Sequence, residues 1–204
     1  MSKTQSNHSA MKKRFLTEQS LIEDSFRLGV AIKESGFTPT FIVGLWRGGS
    51  SVGIYVQECL QTLGIKTDHI SLRTSYQGMR AYQNMIENPA EIRVHGTQYL
   101  AENLNADDTL LIVDDVFSSG YNVEAVLRRL RKHLRRNLPH EIKIATLYYR
   151  PTERTTDTKP DYFLHNTQDW LVFPYELSGL NPDEIRTHKG DTVADLIKPV
   201  LFRS

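Results

Sequence analysis

The chain has 204 residues, which suits one domain with a small extra lobe, and its 39% hydrophobic and 24% charged content is ordinary for a globular protein. A formal net charge of +1 offers no global field for nucleic acid or membrane. The single cysteine, Cys59, excludes an intramolecular disulfide and a cysteine zinc cluster, and no apolar run is long enough to span a bilayer. The polar start MSKTQSNHSAMKKR lacks the apolar core of a signal peptide, so a cytoplasmic protein is expected.

Residues 1–14 read as a disordered arm. From Thr17 to Ser35 the pattern is helical: Ile22, Phe26 and Val30 share a face, Ser20 and Glu23 have capping-box spacing, and Gly36 ends the run. Thr40 to Leu45 reads as a short strand. Trp46, Arg47, Gly48 and Gly49 then lead into a helix from about Ser51 to Leu63. Paired glycines after a buried strand let the backbone approach a ligand closely, and an arginine in such a turn can grip phosphate oxygens with a bidentate fork. A plain connection between strand and helix is the other reading of the same turn. Cys59 lies on an apolar face of that helix and reads as structural.

Ile65 to Arg73 is the next strand. Residues 74–93 show no firm period, and a long polar loop in a compact domain is either disordered or a lid. Residues 95–108 are a connector with a short helix.

Thr109 to Asn122 carries the most information. Leu110, Leu111, Ile112 and Val113 form an apolar run typical of a strand buried on both faces, as in a parallel sheet. Asp114 and Asp115 follow, then Val116, Phe117, the small residues Ser118, Ser119 and Gly120, and a new helix. Ligands of open α/β sheets sit just beyond the carboxyl ends of such strands. The small loop before a helix N-terminus suits a phosphate. The two acids can accept hydrogen bonds from sugar hydroxyls or hold Mg²⁺ through water. A sugar phosphate, most simply a ribose 5-phosphate, satisfies both halves; a strand end with a turn and a helix cap is the plainer alternative.

The following helix has the stripe Val123, Val126, Leu127, Leu130 and Leu134, and is crowded with Arg128, Arg129, Arg131, Lys132, Arg135 and Arg136. These cations read as a solvated face near a helix C-terminus, with a nucleic-acid patch as the alternative. Glu141 to Tyr149 is a strand that delivers Arg150 and Pro151. A polar loop over 152–160 and a short strand from Asp161 to His165 lead to Trp170, Leu171, Pro174 and Glu176. Trp170 follows a polar turn, where an aromatic can serve as a stacking platform. Residues 181–204 are an extension ending in a short helix from Val193 to Leu201.

Residues 110–122 resemble the phosphoribosyl pyrophosphate signature of type I phosphoribosyltransferases. The resemblance covers roughly residues 15–180 and is greatest to bacterial xanthine-guanine and hypoxanthine phosphoribosyltransferases. It implies an α/β fold, a mainly parallel sheet flanked by helices, with a small hood over 150–180. It also implies that Trp46, Arg47, Gly48 and Gly49 bind pyrophosphate, with a cis peptide at Trp46–Arg47. Asp114, Asp115, Val116, Phe117, Ser118, Ser119, Gly120, Tyr121 and Asn122 would bind the ribose phosphate, and Ser75 and Tyr76 would sit on a closing lid as catalytic residues beside Asp114 and Asp115. Arg150, Trp170 and Leu171 would bind the base, and Asp114, Asp115 and Glu176 would hold Mg²⁺. The implied substrates are phosphoribosyl pyrophosphate and a nucleobase, with neither nucleic acid nor membrane as partner, and the implied assembly is a homodimer or higher homo-oligomer.

Two departures are visible. Arg150 stands where Lys is usual, and Ser118 stands where the 6-oxopurine members have Asp; a neutral hydroxyl is a poor general base. A phosphoribosyltransferase acting on a purine is the reading these residues favour. The alternative is a sensor of phosphoribosyl pyrophosphate or nucleotide that keeps the fold and has lost turnover.

Overall fold

The computed structural model describes residues 13–76 and 92–201. In chain order the elements are β1 (Lys13–Phe15), α1 (Glu18–Glu34), β2 (Phe41–Trp46), α2 (Gly48–Thr62), β3 (Asp68–Tyr76), β4 (Ile92–His95) and α3 (Gln98–Asn103). There follow β5 (Thr109–Phe117), α4 (Tyr121–Leu134), a 3₁₀ turn (Arg135–Asn137), β6 (Glu141–Tyr149), β7 (Tyr162–Asn166), β8 (Trp170–Val172), α5 (Pro182–Lys189) and α6 (Asp191–Leu201). The chain divides into two compact units, one spanning Leu21–Gln168 and the other joining Met1–Ser20 to Asp169–Ser204.

The larger unit is built on a six-stranded sheet in the order β4-β3-β2-β5-β6-β7. Every neighbouring pair is parallel except β3 with β4. This is the mainly parallel α/β fold that the sequence leads one to expect. Leu110, Leu111, Ile112 and Val113 of β5 are all fully buried, because helices cover both faces of a central parallel strand. Val43, Leu45, Leu110 and Ile112 share one core with Leu100 of α3 and with Val123, Val126, Leu130 and Leu134 of α4. Side chains alternate along a strand, so Ile42, Leu111 and Val113 face the other way. There α2 packs against β2 and β5 and buries Val52, Val56 and Leu60.

Three local expectations need correction. The buried face of α1 carries Leu21, Leu28 and Ile32, while Phe26 and Val30 are each 39% exposed; two apolar stripes compete on this helix and the neighbouring one wins. The helix starts within a residue of the expected Thr17, but its cap differs: Thr17 and Ser20 exchange backbone-to-hydroxyl bonds of 3.0 and 3.2 Å in place of a Ser20–Glu23 box. Helix α2 begins at Gly48, so the paired glycines form its first turn.

In the smaller unit, β1 lies parallel to β8, with Lys13 opposite Trp170 and Phe15 opposite Val172. Lys13 and Arg14 therefore belong to a strand, whereas the arm expected over 1–14 otherwise lies outside the described residues. Helix α5 opens with a full capping box between Asn181 and Glu184 and with Pro182 at its first turn. Glu184 also accepts the Lys13 ammonium at 2.9 Å, and Phe15 stacks on His188 with ring centroids 3.6 Å apart. Among the described residues no helix is long and apolar enough to cross a membrane.

Candidate active site

Strands β2 and β5 are parallel neighbours, with Gly44 opposite Val113. The turn at residues 46–49 therefore lies beside the last stretch of β5, which runs on through Asp114 and Asp115 to Phe117 before it releases the loop at 118–120. Contact between that turn and β5 depends on Gly49. A Cβ there would collide with the Val113 carbonyl and stand 2.8 Å from Asp114 Cα and 3.1 Å from Asp114 Oδ1. Any side chain at position 49 would push the start of α2 off the end of β5. The Trp46–Arg47 peptide is cis, as the resemblance implies, and both residues are exposed at the turn. The 15-residue α2 thus presents its first N–H groups and dipole beside two carboxylates.

Asp114 and Asp115 are half-buried, and their carboxylates accept from the chain just ahead: Asp115 N donates to Asp114 Oδ1 and Val116 N to Asp115 Oδ1, each at 3.0 Å. Burial, and then the neighbouring Asp115 charge, push the Asp114 carboxyl well above its ordinary range. A site that strains to hold two negative charges is one that a cation or a set of hydroxyl donors relieves. Among the described residues no cluster of three or more His, Cys, Asp or Glu could enclose a metal. Two adjacent carboxylates instead suit Mg²⁺, which keeps waters and takes its remaining oxygens from substrate phosphates.

The next turn is held from outside. Gly120 has φ +89°, the left-handed region, and a Cβ there would meet Thr156 and Phe117. The Ser119 carbonyl accepts from Thr155 N, Thr155 Oγ1 and Thr156 Oγ1, all at 3.2 Å. Gly120 is the N-cap of α4, which places Tyr121 and Asn122 in the first helical turn; Asn122 is thus not the cap that its residue type suggests. Its amide oxygen is buried with no hydrogen-bond partner. Phe117 is a core residue, and its carbonyl accepts Arg150 N at 2.9 Å. Val116 stays half-buried beside it.

At the end of β6 the structure shows a residue that sequence reasoning passed over. Glu153 accepts the Ser118 hydroxyl at 2.9 Å and the Arg150 guanidinium at 3.0 and 3.3 Å. The available signal was an acid three residues beyond Arg150, the first acid after the strand. Thr155 and Thr156 were missed because nothing in the sequence pairs one loop with another.

Ser75 and Tyr76 are the last residues of β3, in strand rather than in loop. Ser75 Oγ lies 2.8 Å from His95 Nε2 on β4. The lid expected over 74–93 otherwise falls outside the described residues. In the smaller unit Trp170 opens β8 and is 54% exposed, so it is not a core tryptophan. Leu171 beside it is buried. Glu176 closes the turn after β8 by accepting Phe173 N at 3.0 Å.

Two turns that each suit an anion, with acids between them at the carboxyl edge of a parallel sheet, are the arrangement a phosphorylated sugar calls for. Residues 16–179 match the phosphoribosyl transferase domain, and the chain belongs to that family. It is 24% identical over 147 residues to human phosphoribosyltransferase domain-containing protein 1, covering 72% of this chain and 62% of the relative, so it spans less than two thirds of that protein. It is also 24% identical over 175 residues to bovine hypoxanthine-guanine phosphoribosyltransferase, covering 84% of this chain and 77% of the relative. Among solved structures, a purine phosphoribosyltransferase from Pyrococcus horikoshii superposes with a TM-score of 0.60 at 25% identity, covering 84% of this chain and 99% of that one. A Neisseria gonorrhoeae protein solved with bound ppGpp superposes at 0.67 with 16% identity, covering 89% and 98%.

Proposed function

We propose that the chain transfers the 5-phosphoribosyl group from phosphoribosyl pyrophosphate to a purine base and releases pyrophosphate. The observation that supports this most is the close seat of Gly49 against Asp114, which sets the first turn of α2 directly beside a pair of acids. Trp46, Arg47, Gly48 and Gly49 take the pyrophosphate. Ser118, Ser119, Gly120, Tyr121 and Asn122 take the 5-phosphate, with N–H groups at the start of α4. Asp114 and Asp115 accept the ribose hydroxyls and are the oxygen donors that the larger unit offers to Mg²⁺; Glu176 is the acid that the smaller unit offers. When bound, Mg²⁺ neutralises pyrophosphate as a leaving group.

In the larger unit Arg150 offers donors to a base carbonyl; in the smaller unit the exposed Trp170 offers an apolar platform for a ring, with Leu171 next to it in the chain. As the new N–C1′ bond forms and the C1′–O bond breaks, the electron pair leaves on pyrophosphate and the acceptor nitrogen sheds a proton. Glu153, already bonded to Ser118, is the carboxylate that takes it. Ser75 and Tyr76 begin a segment that excludes water from the developing cationic centre. The reaction relies on positioning and charge stabilisation more than on a nucleophile. A cytoplasmic homodimer or higher homo-oligomer, acting without nucleic acid or membrane, is the setting we propose.

The experiment is pyrophosphate release from phosphoribosyl pyrophosphate and Mg²⁺ across a panel of purine and pyrimidine bases. Release with a 6-oxopurine is expected. Tight binding of phosphoribosyl pyrophosphate without release on any base would replace this reading with that of a sensor.

A further inference from the structure

The arginine-rich helix is left unused by the transferase reading. Arg128, Arg129 and Lys132 of α4, with Arg93 and His95 of β4, line a cavity of about 490 Å³ whose floor is Ile92, Val94 and Ala125. The floor residues are buried and apolar. Among the described residues lining it there is no acid. The expected solvated face is therefore in part the wall of a concavity, and its volume lies in the range of small-molecule sites, roughly 300–1,000 Å³.

Three observations support a ligand here. Arg129 is half-buried, and its Nε is enclosed with no hydrogen-bond partner. A buried donor left this way costs free energy, which a ligand that draws the Arg129 guanidinium toward the cavity would recover. Next along the helix, burial and then the charges of Arg129 and Lys132 hold His133 below its ordinary pKa, a sign of positive potential. Finally, cationic walls over an apolar floor fit a molecule with phosphates at one end and a flat apolar part at the other. A solvated cationic face needs no such floor.

We propose that this cavity between β4 and α4 binds a small polyphosphate-bearing effector, of the size and chemistry of a nucleoside di- or triphosphate. His95, on the cavity wall, contacts Ser75 at 2.8 Å. Occupancy therefore reaches Ser75 at the end of β3, a residue the transferase reading uses. That regulatory step rests on the transferase reading, whereas binding itself does not.

The test is calorimetric titration of the full chain with tripolyphosphate and, separately, with ATP, at low and physiological salt. Wild type, Arg129→Gln with Lys132→Gln, Lys132→Gln alone and Gly49→Ala are compared, and circular dichroism checks that each is folded. Binding should survive Gly49→Ala and weaken about tenfold or more for each cation removed, as expected for hydrogen bonds to a charged group. ATP binding tighter than tripolyphosphate identifies a nucleotide; equal binding identifies the polyphosphate as the recognised part. The proposal is overturned if wild type binds neither probe at low salt. It is also overturned if Gly49→Ala abolishes binding while the helix variants leave it intact. Displacement of tripolyphosphate by a short duplex oligonucleotide would assign the face to nucleic acid instead. Turnover without effector should be unchanged in the helix variants.

Discussion

The hydroxyl of Ser118 donates to the carboxylate of Glu153 at 2.9 Å, across a sequence separation of 35 residues. An acid missing from one loop is thus supplied by the next. If Glu153 receives the proton of the acceptor base, Glu153→Gln keeps the size and the hydrogen bond but loses basicity. Turnover should fall roughly 10²–10⁴-fold, the usual contribution of a positioned general base. Steady-state kinetics, with phosphoribosyl pyrophosphate binding as the control, checks this; unchanged turnover would remove Glu153 from the chemistry.

Gly49→Ala tests the junction of the turn with β5. The added methyl must move either the Val113 carbonyl or the start of α2. A cost of about 1–3 kcal/mol in stability is expected from forced packing. Phosphoribosyl pyrophosphate binding should suffer more than the loss of stability explains. Thermal melting and titration of the same sample separate the two.

Asp114→Asn should stabilise the free protein while harming turnover. The folded Asp114 carboxyl titrates above the ordinary value of 3.8. The native state therefore holds that proton more tightly than the unfolded chain does. Between the ordinary and the raised value, stability falls as pH rises, and above the raised value the penalty is complete. The melting temperature of the Asn variant relative to wild type should thus rise from near zero below about pH 4 to a maximum at neutral pH, by roughly 2–4 °C per kcal/mol relieved. A flat difference across pH would show that Asp114 carries no such burden.

Ligand and metal should reverse that strain. Phosphoribosyl pyrophosphate with Mg²⁺ at a hundredfold excess over its dissociation constant adds about 2.7 kcal/mol of stability. The corresponding upward shift of the melting curve should be lost with a chelator, as should turnover.

Gly120→Ala probes the other loop. A non-glycine residue in the left-handed region costs roughly 1–2 kcal/mol, and here the methyl also meets Thr156. Destabilisation beyond the conformational cost alone is expected in a denaturant titration.

Much of the sheet was legible because its signal is local. The apolar run Leu110–Val113 and the acids after it mark a buried strand end whatever surrounds them. The start of α5 is equally legible in Asn181-Pro182-Asp183-Glu184, a capping box with Pro in the first turn. What could not be read was the pairing of distant pieces. Glu153 gains meaning only beside Ser118, and Lys13 only beside Trp170 and Glu184. Phe26 and Val30 failed as a core stripe because Leu21, Leu28 and Ile32 offer an adjacent one, and only packing partners choose between them.

The close seat of Gly49 against Asp114 has an evolutionary consequence. The part of the molecule that would handle the sugar donor has no slack: its turn and strand end touch through backbone, so neither can drift without the other. The turn after β6 is tied by two backbone bonds, from Arg150 N and Thr155 N, and otherwise by side chains, through Glu153, Thr155 and Thr156. Side-chain ties can be exchanged one at a time. Acceptor preference should therefore diversify among descendants of this chain, and respond to directed evolution, through residues 150–156 while residues 46–49 and 113–115 stand still.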